Sequence, residues 1–284
     1  MKKGINIWSF PPYTLDECIE AAARHNFDGI ELALDAPGAH ISADTTPEEL
    51  KRIRRRMQDA GLATYSLASL LPWSVRLSDA DPTVRAQAVE NLKSQLEAAA
   101  ILGCDSILVV PGVVVALDAP TVQVAPYGDV YKWSHDSIAQ AVPLAEELGI
   151  RIGIENVWNH FLISPLEMRD YVDSFGSKAV AAYFDVGNIL RYGFPVDWIR
   201  TLGGERLCKI HIKDYRYASG AADLSGFVDL LTGDVDFPAV MAALNEVGYD
   251  DWLTAELAPY AHYPEAGLAG ISRAMDAILG RNDT

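Results

Sequence analysis

Short runs of β-branched and apolar residues alternate with longer amphipathic stretches along the whole chain. This alternation is typical of parallel strands joined by crossover helices. Eight such runs are strand candidates, and eight strands close a (β/α)8 barrel. They are Gly4–Trp8, Gly29–Leu34, Ala63–Leu67, Ser106–Pro111, Arg151–Glu155, Ala179–Phe184, Leu207–Lys213 and Trp252–Glu256. The pattern therefore predicts an α/β fold, a (β/α)8 TIM barrel in which residues 1–284 form a single domain.

Signals for helix starts and stops lie between these runs. Thr14 and Thr46 each precede acidic residues, as helix-capping hydroxyl groups do. Gly61 and Gly149 each stand shortly before a predicted strand, where a helix end requires a residue with positive φ. The stretch Val113–Gly128 contains two prolines and is predicted to be an irregular loop after the fourth strand. A loop of that length usually has a function, such as a lid or an interface arm.

Composition narrows the classes of function. Half of the 284 residues are hydrophobic, which is enough for a buried barrel. The chain has 23 Lys and Arg against 39 Asp and Glu, and its net charge of −16 repels the phosphates of nucleic acids and anionic lipids. The longest apolar run, Ile107–Leu117, falls short of the ~18 residues of a membrane span. With no recognisable export signal and three dispersed cysteines, we expect a cytoplasmic protein that binds neither nucleic acid nor membranes.

Side chains that can bind a metal stand at the ends of four consecutive predicted strands. They are Glu155, Asp185, His211 and Glu256. The C-terminal strand ends of this barrel form its active-site cleft. Each residue alone is also explained as a helix cap, a paired carboxylate or a buried histidine. Together, however, three carboxylates at one rim repel each other unless a dication binds them, and the set suits Mn²⁺, Mg²⁺, Co²⁺ or Zn²⁺.

On several segments the chain resembles the sugar phosphate isomerase/epimerase superfamily, which has a xylose-isomerase-like barrel. The segments are Ile154-Glu155-Asn156, Phe184-Asp185-Val186-Gly187-Asn188, His211-Ile212-Lys213-Asp214 and Gly233-Asp234-Val235-Asp236-Phe237, followed by Glu256. The likeness spans nearly the whole chain. It implies that Glu155, Asp185, His211 and Glu256 ligate one divalent metal ion, with Mn²⁺ first among the candidates.

The resemblance also implies a metal-dependent isomerase that epimerises carbon 3 of a ketose or ketose phosphate. Glu155 and Glu256 would act as base and acid on opposite faces of the sugar, with the metal stabilising an enediolate. Asn188 stands where free-ketose 3-epimerases of the family typically have histidine. The Asp-Val-Gly-Asn form looks more like the branch that acts on ketose 5-phosphates, the L-ribulose/L-xylulose phosphate type. Arg216 matches the family's substrate-contacting arginine.

Three more side chains are candidate substrate contacts. Lys213 is expected to add positive charge near a phosphate or a hydroxyl group, and Glu31 at the end of the second strand is a candidate hydrogen-bonding group. Trp8 ends the first strand, where an aromatic ring can cover the apolar face of a sugar. For both Lys213 and Arg216, ordinary surface pairing with Asp214 or Asp223 is the alternative. The expected partner is a small sugar or sugar phosphate, and the resemblance favours a homodimer or homotetramer.

Other functions stay open at this stage. Enzymes like inosose dehydratase or hydroxypyruvate isomerase share the same metal core. A sugar-binding barrel without catalysis would keep the fold, although binding alone does not require a second carboxylate placed as an acid. Apurinic endonucleases with this barrel have additional ligands and a basic surface, neither of which is evident in the sequence. Four further histidines have no spacing that would build a second metal site: His40, His135, His160 and His262.

Overall fold

The computed structural model describes residues 1–117, 119–217 and 224–281. Its strands are β1 (Lys2–Asn6), β2 (Gly29–Asp35), β3 (Ile41–Ser42), β4 (Ala63–Ala68), β5 (Ser106–Val109), β6 (Val115–Ala116), β7 (Ala119–Gln123), β8 (Arg151–Glu155), β9 (Val180–Asp185), β10 (Leu207–Ile212), β11 (Asp214–Tyr215), β12 (Phe227–Val228) and β13 (Trp252–Ala255). Its helices are α1 (Leu15–Arg24), α2 (Pro47–Asp59), α3 (Leu71–Ser74), α4 (Pro82–Leu102), α5 (Tyr127–Ala139), α6 (Val142–Leu148), α7 (Pro165–Asp173), α8 (Val186–Ile189), α9 (Pro195–Arg206), α10 (Phe237–Glu246) and α11 (Pro264–Leu279).

Eight of these strands form a closed parallel barrel. Their order is β1, β2, β4, β5, β8, β9, β10 and β13, and β13 pairs with β1 to complete the ring. These are the eight strands that the sequence pattern predicted, with small shifts at their ends. The predicted (β/α)8 barrel is confirmed.

Helices lie between successive barrel strands and begin where capping residues stand. The side chain of Thr14 accepts a hydrogen bond from the Glu17 amide, and the Glu17 carboxylate accepts one from the Thr14 amide, so both halves of a capping box are present at α1. Thr46 caps α2 through the amide of Glu49. Gly149 ends α6 with φ +67°, as the helix-stop signal predicted. None of the described helices combines the length and the apolar character that a membrane crossing requires.

The prediction of an irregular loop over 113–128 is wrong in part. Strands β6 and β7 form a small antiparallel hairpin in this stretch, and α5 already begins at Tyr127. The hairpin is tied to the loop after β8, because the amides of Val114 and Val115 both donate to the carbonyl of Asn159. Valines at several positions of this stretch favour such an extended backbone.

The register of the sheet brings the candidate metal ligands to one rim. His211 in β10 pairs with Asp185 at the end of β9, and Glu155 ends β8. Glu256 directly follows β13, and its amide donates to the carbonyl of Ile212 across a distance of 3.2 Å. Since the strands are parallel, these four residues lie at the same C-terminal end of the barrel.

Candidate active site

Four side chains meet at the C-terminal end of the barrel: Glu155, Asp185, His211 and Glu256. Each offers one potential ligand atom, and these atoms all lie within 4.8 Å of one another. Nδ1 of His211 is 2.7 Å from Oε2 of Glu256, 3.7 Å from Oε1 of Glu155 and 3.9 Å from Oδ2 of Asp185. The residues predicted to bind metal from their positions at strand ends therefore lie together. In the described part of the chain this is the one such cluster.

Three atoms of this cluster are buried without a hydrogen-bond partner among the described residues. They are Oδ2 of Asp185, Nδ1 of His211 and Oε2 of Glu256. Buried polar atoms are normally paired, because an unpaired one loses its hydration without compensation. Here the atoms are close together but do not satisfy the geometry of hydrogen bonds. Carboxylate oxygens with one imidazole nitrogen are a donor set for a divalent cation, so the cluster fits such an ion.

Glu31 holds the opposite side of the His211 ring. Its Oε2 lies 2.6 Å from Nε2 of His211, and its carboxylate also accepts hydrogen bonds from the Asn6 amide group and the Tyr183 hydroxyl group. A carboxylate on one ring nitrogen fixes the tautomer and turns the other nitrogen toward a metal. The sequence indicated that Glu31 contacts substrate. In the structure Glu31 has no exposed surface, and its bonds favour a role in orienting His211.

Replacing Glu31 with glutamine is expected to weaken Mn²⁺ binding by about 10- to 100-fold, the usual cost of removing a residue that orients a metal ligand. Glutamine keeps the shape of the side chain but removes the charge that holds the His211 ring. Isothermal titration calorimetry measures the dissociation constant. The control is Glu20→Gln at an exposed position of α1, which should leave the dissociation constant for Mn²⁺ unchanged. An unaltered Kd in the folded Glu31→Gln variant would contradict the orienting role.

The two glutamates of the cluster have opposite pKa shifts. Burial raises the pKa of Glu155 to about 7. Burial would raise the pKa of Glu256 as well, but the Lys213 ammonium group and His211 hold that pKa well below its usual range. Near neutral pH one carboxyl group thus retains a proton for part of the time while the other is ionised. Two carboxyl groups whose environments separate their pKa values are suited to act as acid and base.

Metal affinity is expected to fall as the pH drops below about 7, since the cation competes with the proton on Glu155. For one competing proton the dissociation constant weakens by about tenfold per pH unit. In the metal-free protein the raised pKa stabilises the fold at low pH, and this contribution is lost as the pH rises through about 7. Calorimetric titrations with Mn²⁺ in several buffers give both the Kd and the number of protons released. A Kd for Mn²⁺ that is independent of pH, with no proton release, would contradict the competition between the cation and the proton on Glu155.

A cavity of about 570 Å³ reaches the cluster through Lys213 and Glu256. Much of its wall is apolar, formed by Trp8, Leu224, Phe227, Leu257, Pro259 and Tyr260. A concave site of this size with few polar groups is typical of small-molecule binding. Trp8, which the sequence placed at the substrate, does line this cavity, and its indole NH donates to Asp35. Sequence reasoning missed Phe227, which lines the cavity from β12, a strand that pairs with β11 and is not part of the barrel.

Asn188 and Arg216 make other contacts. The side chain of Asn188 donates to the carbonyl of Asn156 at 3.0 Å, and its backbone amide donates to Oδ1 of Asp185 at 2.8 Å. Asp185 therefore caps α8 with one oxygen while the other faces the cluster. Arg216 is exposed, and its guanidinium group donates to the carbonyl of Thr232. Within the described ranges, neither residue lines the cavity.

Residues 19–277 match the family model described as xylose isomerase-like TIM barrel. The chain belongs to this family. The 2-epi-5-epi-valiolone 7-phosphate 2-epimerase of Actinoplanes sp. is 28% identical, over 78% of this chain and 76% of that protein. The "Putative L-ribulose-5-phosphate 3-epimerase SgbU" of Escherichia coli K12 is 24% identical, over 82% of this chain and 80% of that protein. The crystal structure of the IolI protein with a zinc atom has the same fold, with a TM-score of 0.80 at 19% identity and full coverage of both chains.

These similarities determine the general class of the protein. The relatives whose names state an activity are epimerases and an isomerase, and this xylose isomerase-like barrel is an enzyme of the sugar epimerase and isomerase class. The cluster of Glu155, Asp185, His211 and Glu256 supports a divalent metal ion.

Proposed function

We propose that this enzyme epimerises carbon 3 of a ketose and that a ketose 5-phosphate is its preferred substrate. The observation that carries the proposal is the cluster in which two glutamates with opposite pKa shifts accompany Asp185 and His211. The substrates in the names of the two relatives are both phosphorylated, one at position 5 of L-ribulose and the other at position 7 of a valiolone. These names support a phosphorylated substrate.

Glu155 and Glu256 are the proposed acid and base. They stand at the ends of β8 and β13, which are separated in the barrel by β9 and β10, so their side chains approach the cluster from different directions. Inversion of a carbon centre requires that a proton leave from one face and arrive at the other. One glutamate takes the proton from carbon 3, and the other supplies a proton to the opposite face.

The proposed ligands of the divalent ion are Glu155, Asp185, His211 and Glu256, with Mn²⁺ as the first candidate. When bound, the ion supplies positive charge that lowers the cost of forming an anion next to the carbonyl group. Glu31 holds the His211 ring, and the Asn188 amide holds Asp185, so both ligands are oriented before substrate arrives. Trp8 and Phe227 line the cavity and offer apolar faces for the carbon chain of the sugar.

Proton exchange in D₂O tests this proposal directly. The Mn²⁺-loaded enzyme is incubated with L-ribulose 5-phosphate, L-xylulose 5-phosphate and the matching free ketoses, and deuterium at carbon 3 is followed by NMR. We expect deuterium at carbon 3 together with the epimeric product, and faster exchange with the phosphates. Exchange with free ketoses alone would refute the preference for phosphate.

The same incubation with an inosose and with hydroxypyruvate as further substrates separates the alternatives. Loss of water from an inosose would indicate dehydratase chemistry, and interconversion of hydroxypyruvate would indicate an isomerase acting on that acid. Binding of a sugar without exchange at any carbon would indicate a non-catalytic barrel. Each of these results would replace carbon-3 epimerisation as the function.

A further inference from the structure

Lys213 lies directly beside two of the proposed metal ligands. Its Nζ is 3.0 Å from Oδ2 of Asp185 and 3.0 Å from Oε2 of Glu256. Its side chain is largely buried, with 16% of its surface exposed, and its ammonium group lies 5.6 Å from the centre of the Phe227 ring. These two oxygens are the same atoms that have no hydrogen-bond partner among the described residues. The ammonium group therefore lies at ion-pair distance from both oxygens.

The negative charge of the cluster explains why the Lys213 ammonium group lies beside it. Four carboxylates, Glu31, Glu155, Asp185 and Glu256, surround His211, and three of the four are buried. Buried carboxylates without a neighbouring cation strongly destabilise a fold. Lys213 supplies a positive charge within contact distance of two of them.

A metal ion held by this cluster would compete with Lys213 for the same oxygen of Asp185. Oδ1 accepts a hydrogen bond from the amide of Asn188, which leaves Oδ2 for any additional cation. Divalent ions of this class bind carboxylate oxygens at about 2.0–2.2 Å, closer than an ammonium group. Two cations sharing Asp185 Oδ2 and Glu256 Oε2 would repel each other at short range.

We propose that the Lys213 ammonium group serves as the internal cation of the metal-free centre and that metal binding displaces it toward the cavity. The side chain already lines that cavity, so the displaced ammonium group stays beside the substrate space. Lys213 thereby stabilises the empty centre and weakens metal binding through competition. This inference rests on the metal centre of the proposed function, and it adds a role for a residue outside the ligand set.

The test compares Lys213→Met, which keeps an unbranched apolar stem, with Lys178→Met, which removes the same charge from an exposed position before β9. Titration calorimetry with MnCl₂ and thermal melting with and without Mn²⁺ are measured for both variants and the parent. We expect Lys213→Met to bind Mn²⁺ at least about tenfold more tightly and to melt at a lower temperature when metal-free. Lys178→Met should match the parent in both measurements.

Pulsed acetylation of the unaltered protein, read by mass spectrometry, provides a test that does not depend on the variant folding. Displacement by Mn²⁺ should raise the labelling rate of Lys213 several-fold relative to Lys178. An unchanged or weaker Mn²⁺ affinity in folded Lys213→Met, or labelling of Lys213 that does not rise with metal, would overturn the inference. A parent protein that binds no divalent ion would instead refute the metal centre itself, so the two failures are distinguishable.

Discussion

Replacing Glu256 with glutamine is expected to lower the rate of carbon-3 proton exchange by about 10³-fold or more, because general acid–base catalysis alone contributes about 10²- to 10⁴-fold. The amide has nearly the same shape, but it cannot transfer the proton, and it is a weaker metal ligand than the carboxylate. The exchange rate is measured by NMR in D₂O at saturating Mn²⁺, with the metal content determined in parallel.

A matched control for this variant is Glu246→Gln. Glu246 is an exposed residue whose carboxylate pairs with Arg200 at 2.8 Å on the outer helices. Since exposed ion pairs contribute little to stability, we expect this variant to retain the parent rate within about twofold. If Glu256→Gln kept more than a tenth of the parent rate with metal bound, Glu256 would not be one of the proton-transfer groups.

Removal of the metal with a chelator is expected to abolish exchange at carbon 3, a loss of about 10³-fold or more, and to lower the melting temperature by several degrees. Without the ion, the Lys213 ammonium group and His211 offset the charge of the Asp185 and Glu256 carboxylates. Re-addition of Mn²⁺ should restore both the rate and the melting temperature. Melting is followed by circular dichroism on the same samples.

An Asp185→Asn variant distinguishes metal binding at the cluster from a general effect of the chelator on the protein. This change removes a ligand charge from the cluster, so the variant should be nearly inactive and its melting temperature should no longer respond to Mn²⁺ or chelator. Full activity after exhaustive chelation, with no metal left by elemental analysis, would contradict the metal centre. A melting shift that persists in Asp185→Asn would mean that the ion binds elsewhere.

The opposite pKa shifts of the two glutamates arise from where the single lysine of the cluster stands. Lys213 is 3.0 Å from Glu256, and together with His211 it keeps that carboxyl group ionised despite burial. For Glu155 the effect of burial prevails, and its pKa rises to about 7. In the sequence both glutamates simply stand at the end of a predicted strand. Their environments in the structure give them different affinities for a proton.

The sequence by itself determined the barrel and the set of residues at its C-terminal rim. Alternating strand and helix periods are local properties of the chain, and parallel strands in a closed barrel necessarily bring their C-terminal ends together. Those two facts predict that four side chains meet at this rim, because each stands at a strand end: Glu155, Asp185, His211 and Glu256. The helix caps at Thr14 and Thr46 were equally predictable, since a cap involves only neighbours along the chain.

Tertiary structure decided what surrounds those four side chains. Glu31 lies 180 residues before His211 in sequence, and only barrel closure places its carboxylate 2.6 Å from the imidazole ring. Phe227 lines the cavity from the β11–β12 pair, which the alternation of apolar and polar residues did not predict. The side chain of Asn188 donates a hydrogen bond to a backbone carbonyl group. The orientation, burial and charge of these side chains depend on contacts between distant segments. The members of the candidate metal cluster could therefore be predicted from the sequence, while its electrostatics could not.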